Sequence, residues 1–253
     1  MTHAHSAPPL SPATLWPRLR AEAESLRKTE PALAAFAKNS ILSEENFQGA
    51  LGRVLAGKLS DAEVDAATIR DLFAAAHRAL PGTTDAALYD LISIMENDPA
   101  AQDLLTPFLF FKGFHALQSY RVSHWLWGQG RKHLALYFQN RISDLFGVDI
   151  HPAASIGRGV MMDHATGIVI GETAVVEDHV LFWHGVTLGG KGTTGGDRHP
   201  KVRKGAQLGA GSTILGPIEI GAGARVAAGS VVLDGAPPGV TVAGVPAKIV
   251  GKN

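Results

Sequence analysis

The chain has 253 residues, a formal net charge of zero and no cysteine. That length allows one large or two modest domains with a sizeable core. Zero net charge removes the electrostatic case for nucleic acid or an anionic membrane, and the lack of cysteine excludes disulfides, thiolate metal sites and an acyl-cysteine intermediate.

The chain opens at Met1 with His and Pro among small residues, and lacks the basic segment and apolar core of a secretory signal. Residues 1–13 read as a disordered tail. No apolar run approaches the roughly 20 residues needed to cross a bilayer. A cytoplasmic location is expected.

From 14 to 146 the pattern is helical and poor in glycine. Ser60-Asp61-Ala62-Glu63 has the form of a capping box, predicting a helix that runs through Leu80. Further helices are expected over Thr84–Asn97, Pro107–Gln129 and Lys132–Phe146. Aromatic residues crowd the last two of these, including Phe108, Phe114, Tyr120 and Phe138, as expected of a helix–helix and helix–solenoid core.

After Gly147 glycine becomes frequent, and Val and Ile replace Leu and Ala. Aliphatic residues now lead six-residue units, in three runs that start at Ile150, Ile170 and Val202. Small or β-branched residues follow four positions later, and glycine recurs at the fourth position. A fixed short period marks a solenoid, and hexapeptide units predict a parallel β-helix over 147–253. Two phase breaks interrupt it. One follows Asp163-His164-Ala165-Thr166-Gly167, with a slip of two residues; the other inserts an outside loop between Leu188 and Val202. Irregularities in a regular scaffold are where function tends to sit.

His164 leads the candidates for chemistry, because it stands at an outward position beside Asp163 and the register slip. Asp149, fifteen residues earlier, is its natural orienting carboxylate if stacked coils bring the two close. Arg198 and His199 stand in the inserted loop, where arginine suits a carboxylate. Asp98, at a helix end before Pro99, is either a cap or a holder of an ammonium group. A competing constellation is zinc held between subunits by His164, His179 and His184. Gly189-Gly190-Lys191-Gly192 is no phosphate loop, because no lysine–serine pair and no helix follow it.

These residues sit in segments that closely resemble bacterial serine O-acetyltransferases of the hexapeptide-repeat acyltransferases. The matching stretches include Asp98-Pro99-Ala100, Lys112-Gly113-Phe114-His115-Ala116-Leu117-Gln118 and Val148-Asp149-Ile150-His151-Pro152. Others are Asp163-His164-Ala165-Thr166-Gly167, Gly195-Gly196-Asp197-Arg198-His199-Pro200 and Ala243-Gly244-Val245-Pro246-Ala247. The resemblance implies an α+β protein: an N-terminal all-α domain followed by a left-handed parallel β-helix, assembled as trimers and as a homohexamer. It implies transfer of acetyl from acetyl-CoA to L-serine in cysteine biosynthesis, with no metal.

Residue by residue, the resemblance makes His164 the general base and Asp149 its orienting partner. Arg198 and His199 contact the amino acid, with Asp98 and Asp163 lining that pocket and His199 also counted as catalytic. Acetyl-CoA is implied near Gly190, Ala210, Arg225 and Ala228, where Arg225 replaces a common lysine. L-cysteine is implied as a feedback inhibitor. The chain ends Val250-Gly251-Lys252-Asn253, without the longer isoleucine-terminated tail that docks into O-acetylserine sulfhydrylase, so that complex is not expected. Two rival readings remain at this point. One is the same fold acting on another acceptor or on zinc chemistry; the other is a non-catalytic scaffold.

Overall fold

The structure, a computed structural model, describes residues 10–192 and 195–252. The expected tail falls largely on residues 1–9, outside the described residues, as do Thr193 and Thr194 of the inserted loop. Helix α1 spans Pro12–Thr29, with Ser11 as its N-cap donating its N–H to Thr14 Oγ1 at 3.1 Å. Helix therefore begins inside the segment expected to be tail. It is followed by α2 (Ala34–Ala37), a π-helical turn over Lys38–Leu42, and α3 (Phe47–Leu59). Then come α4 (Ala66–Ala79), α5 (Gly82–Asn97), α6 (Leu105–Phe110), α7 (Lys112–Gly128) and α8 (Lys132–Phe146).

Two helical expectations need correction. The helix expected from Ser60 starts at Ala66. Asp61 instead folds its own turn, accepting the Glu63 and Val64 N–H groups at 2.9 Å each. Asp65 is the true N-cap, accepting from Thr68 N–H at 2.7 Å. The helix expected over Pro107–Gln129 breaks at Phe111, whose ψ of 110° is extended. That break re-aims α7 onto the solenoid. Of the aromatic residues, Phe108, Phe114, Tyr120 and Phe138 are buried, whereas Phe110 is 53% exposed.

The rest of the chain winds into a three-faced parallel β-solenoid of about five turns. The first face stacks Val148–Ile150, Ile168–Ile170, Thr187–Gly189, Thr213–Leu215 and Val231–Val232. The second stacks Ser155–Ile156, Val175–Val176, Lys201–Val202 and Glu219–Ile220. The third stacks Met161–Met162, Leu181–Phe182, Gln207–Leu208, Arg225–Val226 and Val240–Gly244, then closes with an antiparallel strand, Ala247–Lys252.

Unit-leading side chains form ladders inside this prism. On the first face Ile150, Ile170, Leu188, Ile214 and Val232 are all buried and in register. Each such side chain contributes about 1.5–3 kcal/mol by leaving water. The pairing also locates the phase breaks. Met162 pairs with Phe182, twenty residues on, but Ile170 pairs with Leu188, only eighteen on. The two extra residues therefore lie in the corner that holds His164. Leu188 pairs with Ile214, twenty-six on, so the second insertion is the loop before Lys201.

The helices pack closely against this prism. A Cβ on Gly113 would meet the Met162 carbonyl oxygen at 2.0 Å, so only glycine lets α7 lie this close. Beside it, Asp90 of α5 is fully buried. Its Oδ2 accepts from Arg121 at 2.6 Å and Gln118 at 3.0 Å, and its Oδ1 accepts the Val160 N–H at 2.9 Å. Arg121 also donates to the Gly157 carbonyl at 2.8 Å. Burial pushes the Asp90 carboxyl pKa up, while Arg121 and Gln118 pull it back. This network ties α5 and α7 to the solenoid at the corner between its second and third faces.

Candidate active site

Three corners run along the prism, and the expected site residues divide among them. The corner between the third and first faces carries His164, His184, Ala210 and Ala228 as one column. Backbone bonds join successive members: Gly185 N–H to the Thr166 carbonyl, Gly211 N–H to the His184 carbonyl, and Gly229 N–H to the Ala210 carbonyl, each at 2.8 Å.

At the head of this column is a cleft of about 550 Å³, lined by Asp98, Lys112, Asp163, His164 and Thr166 with Phe110 and Phe111. Asp98 caps its own turn through the Ala100 N–H at 2.8 Å. It acts as the cap there and also stands on the wall of the cleft. The His164 side chain is 76% exposed, with Nε2 3.7 Å from Asp163 Oδ1. Its ring meets that of His184 edge-on, the centroids 6.0 Å apart. His164 and Ala165 both adopt left-handed backbone, with φ of 55° and 59°. Further along the column, Ala210, Arg225 and Ala228 line a shallow groove with Trp183 and Thr241.

A second cluster stands at the corner between the first and second faces. His199 is buried there, its Nδ1 2.9 Å from Thr173 Oγ1. Its ring fills the space above Gly171, where a Cβ would come within 2.0 Å of Cδ2 and Nε2. Burial, then the Arg198 guanidinium, hold the His199 imidazole below its ordinary pKa. Arg198 donates to Glu172 at 2.6 Å, and this bond holds the Glu172 carboxyl below the usual range. Glu172 and Thr173 were missed in the sequence. The stacking of Ile170 on Leu188 would have found them, since it sets 171–173 beneath the start of the inserted loop.

Within one chain, three of the expected residues stand apart from the groups they were read with. Gly190 does not join Ala210, Arg225 and Ala228, because it packs in the second cluster against His199 and Arg198. Asp149 does not reach His164 within one chain. It projects from the middle of the first face, opposite Val169, and its Oδ1 accepts from Gln139 of α8 at 2.6 Å. Among the described residues, no hydrogen bond or ion pair joins it to His164. His179 does not join His164 and His184 either. It lies at the corner between the second and third faces, against Gly159. Among the described residues no three His, Cys, Asp or Glu side chains are grouped to hold a metal ion.

Residues 15–119 match the family model described as the N-terminal region of serine acetyltransferase. Residues 199–234 match that of the bacterial transferase hexapeptide, six repeats. The chain is 53% identical to the serine acetyltransferase of Escherichia coli K12 over 238 residues, covering 94% of this chain and 87% of that one.

The chain belongs to the serine acetyltransferase family.

Another serine acetyltransferase, from Haemophilus influenzae Rd, is 51% identical over 94% of this chain and 90% of its own. Solved serine acetyltransferases share the fold. One in complex with cysteine superposes with a TM-score of 0.95 at 50% identity, covering 96% of this chain and 95% of its own. The enzyme of Brucella abortus strain S19 in complex with coenzyme A gives 0.93 at 47%, covering 95% and 96%. The scaffold reading therefore gives way to an acyltransferase.

Proposed function

We propose that the chain moves acetyl from acetyl-CoA to the hydroxyl of L-serine by direct attack, with His164 as general base. Acetyl transfer to serine is the reaction of its family. One observation carries the assignment of the base: the exposed imidazole of His164 heads the corner column whose lower members, Ala210 and Ala228, line the groove beside Arg225. An acyl donor lying in that groove brings its thioester to the imidazole.

A serine hydroxyl is a weak nucleophile at neutral pH. His164 takes its proton as the oxygen attacks the thioester carbon, a step worth about 10²–10⁴ in rate. A tetrahedral oxyanion forms and is held by backbone N–H groups near the inserted loop. It then collapses, the carbon–sulfur bond breaks, and the imidazolium returns its proton to the departing thiolate. Asp98 and Asp163 take the substrate ammonium, and Arg198 with His199 takes its carboxylate. With His199 depressed toward the neutral form, Arg198 supplies the lasting positive charge.

In one chain these two groups stand at opposite edges of the first face. A neighbouring copy supplies the missing half, as in a trimer with clefts between adjacent solenoids. Asp149 stands on the face between the clusters, and Gln139 occupies its Oδ1. Its other oxygen is assigned to the base, whose tautomer it would fix. The helical domains join two trimers into a homohexamer. L-cysteine, a near-isostere of serine, competes for the same pocket. The reaction is placed in the cytoplasm, with acetyl-CoA as its donor.

The test is thiol release from acetyl-CoA with a panel of amino acids. Serine-dependent release supports the reading. Release that needs a different acceptor, or none, overturns it.

A further inference from the structure

The corner bearing His164 is strained, and the start of α7 grips it on both sides. Left-handed backbone at His164 and Ala165 costs about 1–3 kcal/mol per residue, and persists only where the surroundings over-determine it. Inside the corner, the Asp163 carbonyl accepts from Ala165 N–H at 2.6 Å and the His164 carbonyl from Thr166 N–H at 2.7 Å.

Before His164, the corner is fixed by Gly113 lying flush on the Met162 carbonyl. After it, the hydroxyl of Thr166 accepts a hydrogen bond from Lys112 Nζ. Lys112 and Gly113 are the first two residues of α7. One helix end thus holds both ends of the corner. Lys112 shares the cleft with Asp98 and Asp163, yet forms an ion pair with neither; its hydrogen bond goes to a neutral hydroxyl. A lysine placed to neutralise those carboxylates would not be bonded this way.

We propose that Lys112 is a positioning residue, which through Thr166 Oγ1 holds the His164–Ala165 corner in the conformation that presents the His164 ring to the cleft. This rests on His164 being the base. The chemistry leaves Lys112 unchanged. It acts on the orientation of the residue that takes the proton, so its loss should appear in turnover rather than in affinity.

A double-mutant cycle on the full-length enzyme tests this with Lys112→Met, Thr166→Val and the double variant. Each single change should lower kcat by about tenfold or more, and the double should fall no more than about threefold below the worse single, because both remove one bond. KM for serine and for acetyl-CoA should move by less than about threefold. Thr166→Ser, which keeps the hydroxyl, should retain kcat within about threefold.

Multiplying effects in the double variant would overturn the proposal. So would a normal kcat in Thr166→Val, or a loss confined to the serine KM, which would make Lys112 a substrate ligand. Thr166 is exposed, so Thr166→Val and Thr166→Ser keep the test open if Lys112→Met fails to fold. A His164→Ala enzyme with normal turnover would sink the base assignment itself, a separate outcome.

Discussion

The imidazole of His199 occupies the volume that a side chain on Gly171 would need. The two residues come from different coils, and a Cβ at 171 would lie 2.0 Å from the ring. The hydroxyl of Thr173 holds the other side of that ring at Nδ1. His199 is therefore clamped between a bare backbone and a short polar side chain.

Gly171→Ala should displace the ring by about 1 Å or more, and a misplacement of that size can cost about 10² in rate. Steady-state kinetics should resemble those of His199→Ala, with the melting temperature little changed. Normal serine kinetics in Gly171→Ala would show that the clamped position of His199 does not matter.

Asp90 should matter for stability more than for chemistry. Asp90→Ala leaves Arg121 as a buried cation without its carboxylate, a loss of about 3–5 kcal/mol. Urea unfolding would show it as a lower midpoint, with the loss starting where α5 and α7 meet the solenoid. A change below about 1 kcal/mol would mean that water or backbone carbonyls fully replace the carboxylate.

Acid should destabilise the helical domain in a defined window. Burial lowers the pKa of His77 and of His115 to about 4, from an ordinary 6.5. Between those values the unfolded chain binds more protons than the folded one, so stability falls as pH falls. It is full above about 6.5 and is lost progressively toward 4, by on the order of 3 kcal/mol per histidine. His77→Gln should flatten part of this slope in melts taken at several pH values. An unchanged slope in that variant would remove His77 from the explanation.

Much of this was legible in the chain because period is a local signal. The ladder from Ile150 to Val232 follows from spacing alone, and the two insertions stand out against it. The start of α4 was misjudged because Asp61 and Asp65 both carry cap chemistry, and the choice depends on which turn the fold keeps. The Asp90–Arg121 pair spans two helices and reaches Val160, so no window of sequence reveals it. The site divides the same way. The corner of His164 is marked by its two extra residues, whereas the fit of His199 over Gly171 and the hold of Lys112 on Thr166 exist only in space.

The separation of His164 from Arg198 within one chain predicts complementation between copies. His164→Ala and Arg198→Ala should each be nearly inactive at low serine, with Arg198→Ala raising the serine KM more than the acetyl-CoA KM. Truncating one partner of such a contact costs about 2–5 kcal/mol. Co-expressed at equal levels, the two should form mixed assemblies in which about a quarter of the shared clefts hold both intact residues. Activity near that fraction of the wild type supports clefts built between copies. Activity no greater than the sum of the two variants would place the whole site within one chain.

The most direct measurement is single-turnover acetyl transfer by His164→Ala, run beside acetyl-CoA binding to the same protein. With His164 as the base, turnover should fall by at least about 10², with acetyl-CoA affinity nearly unchanged, because the base acts in the transition state. Near-normal turnover in His164→Ala would contradict that role, and the proton on the serine hydroxyl would have to leave by another route.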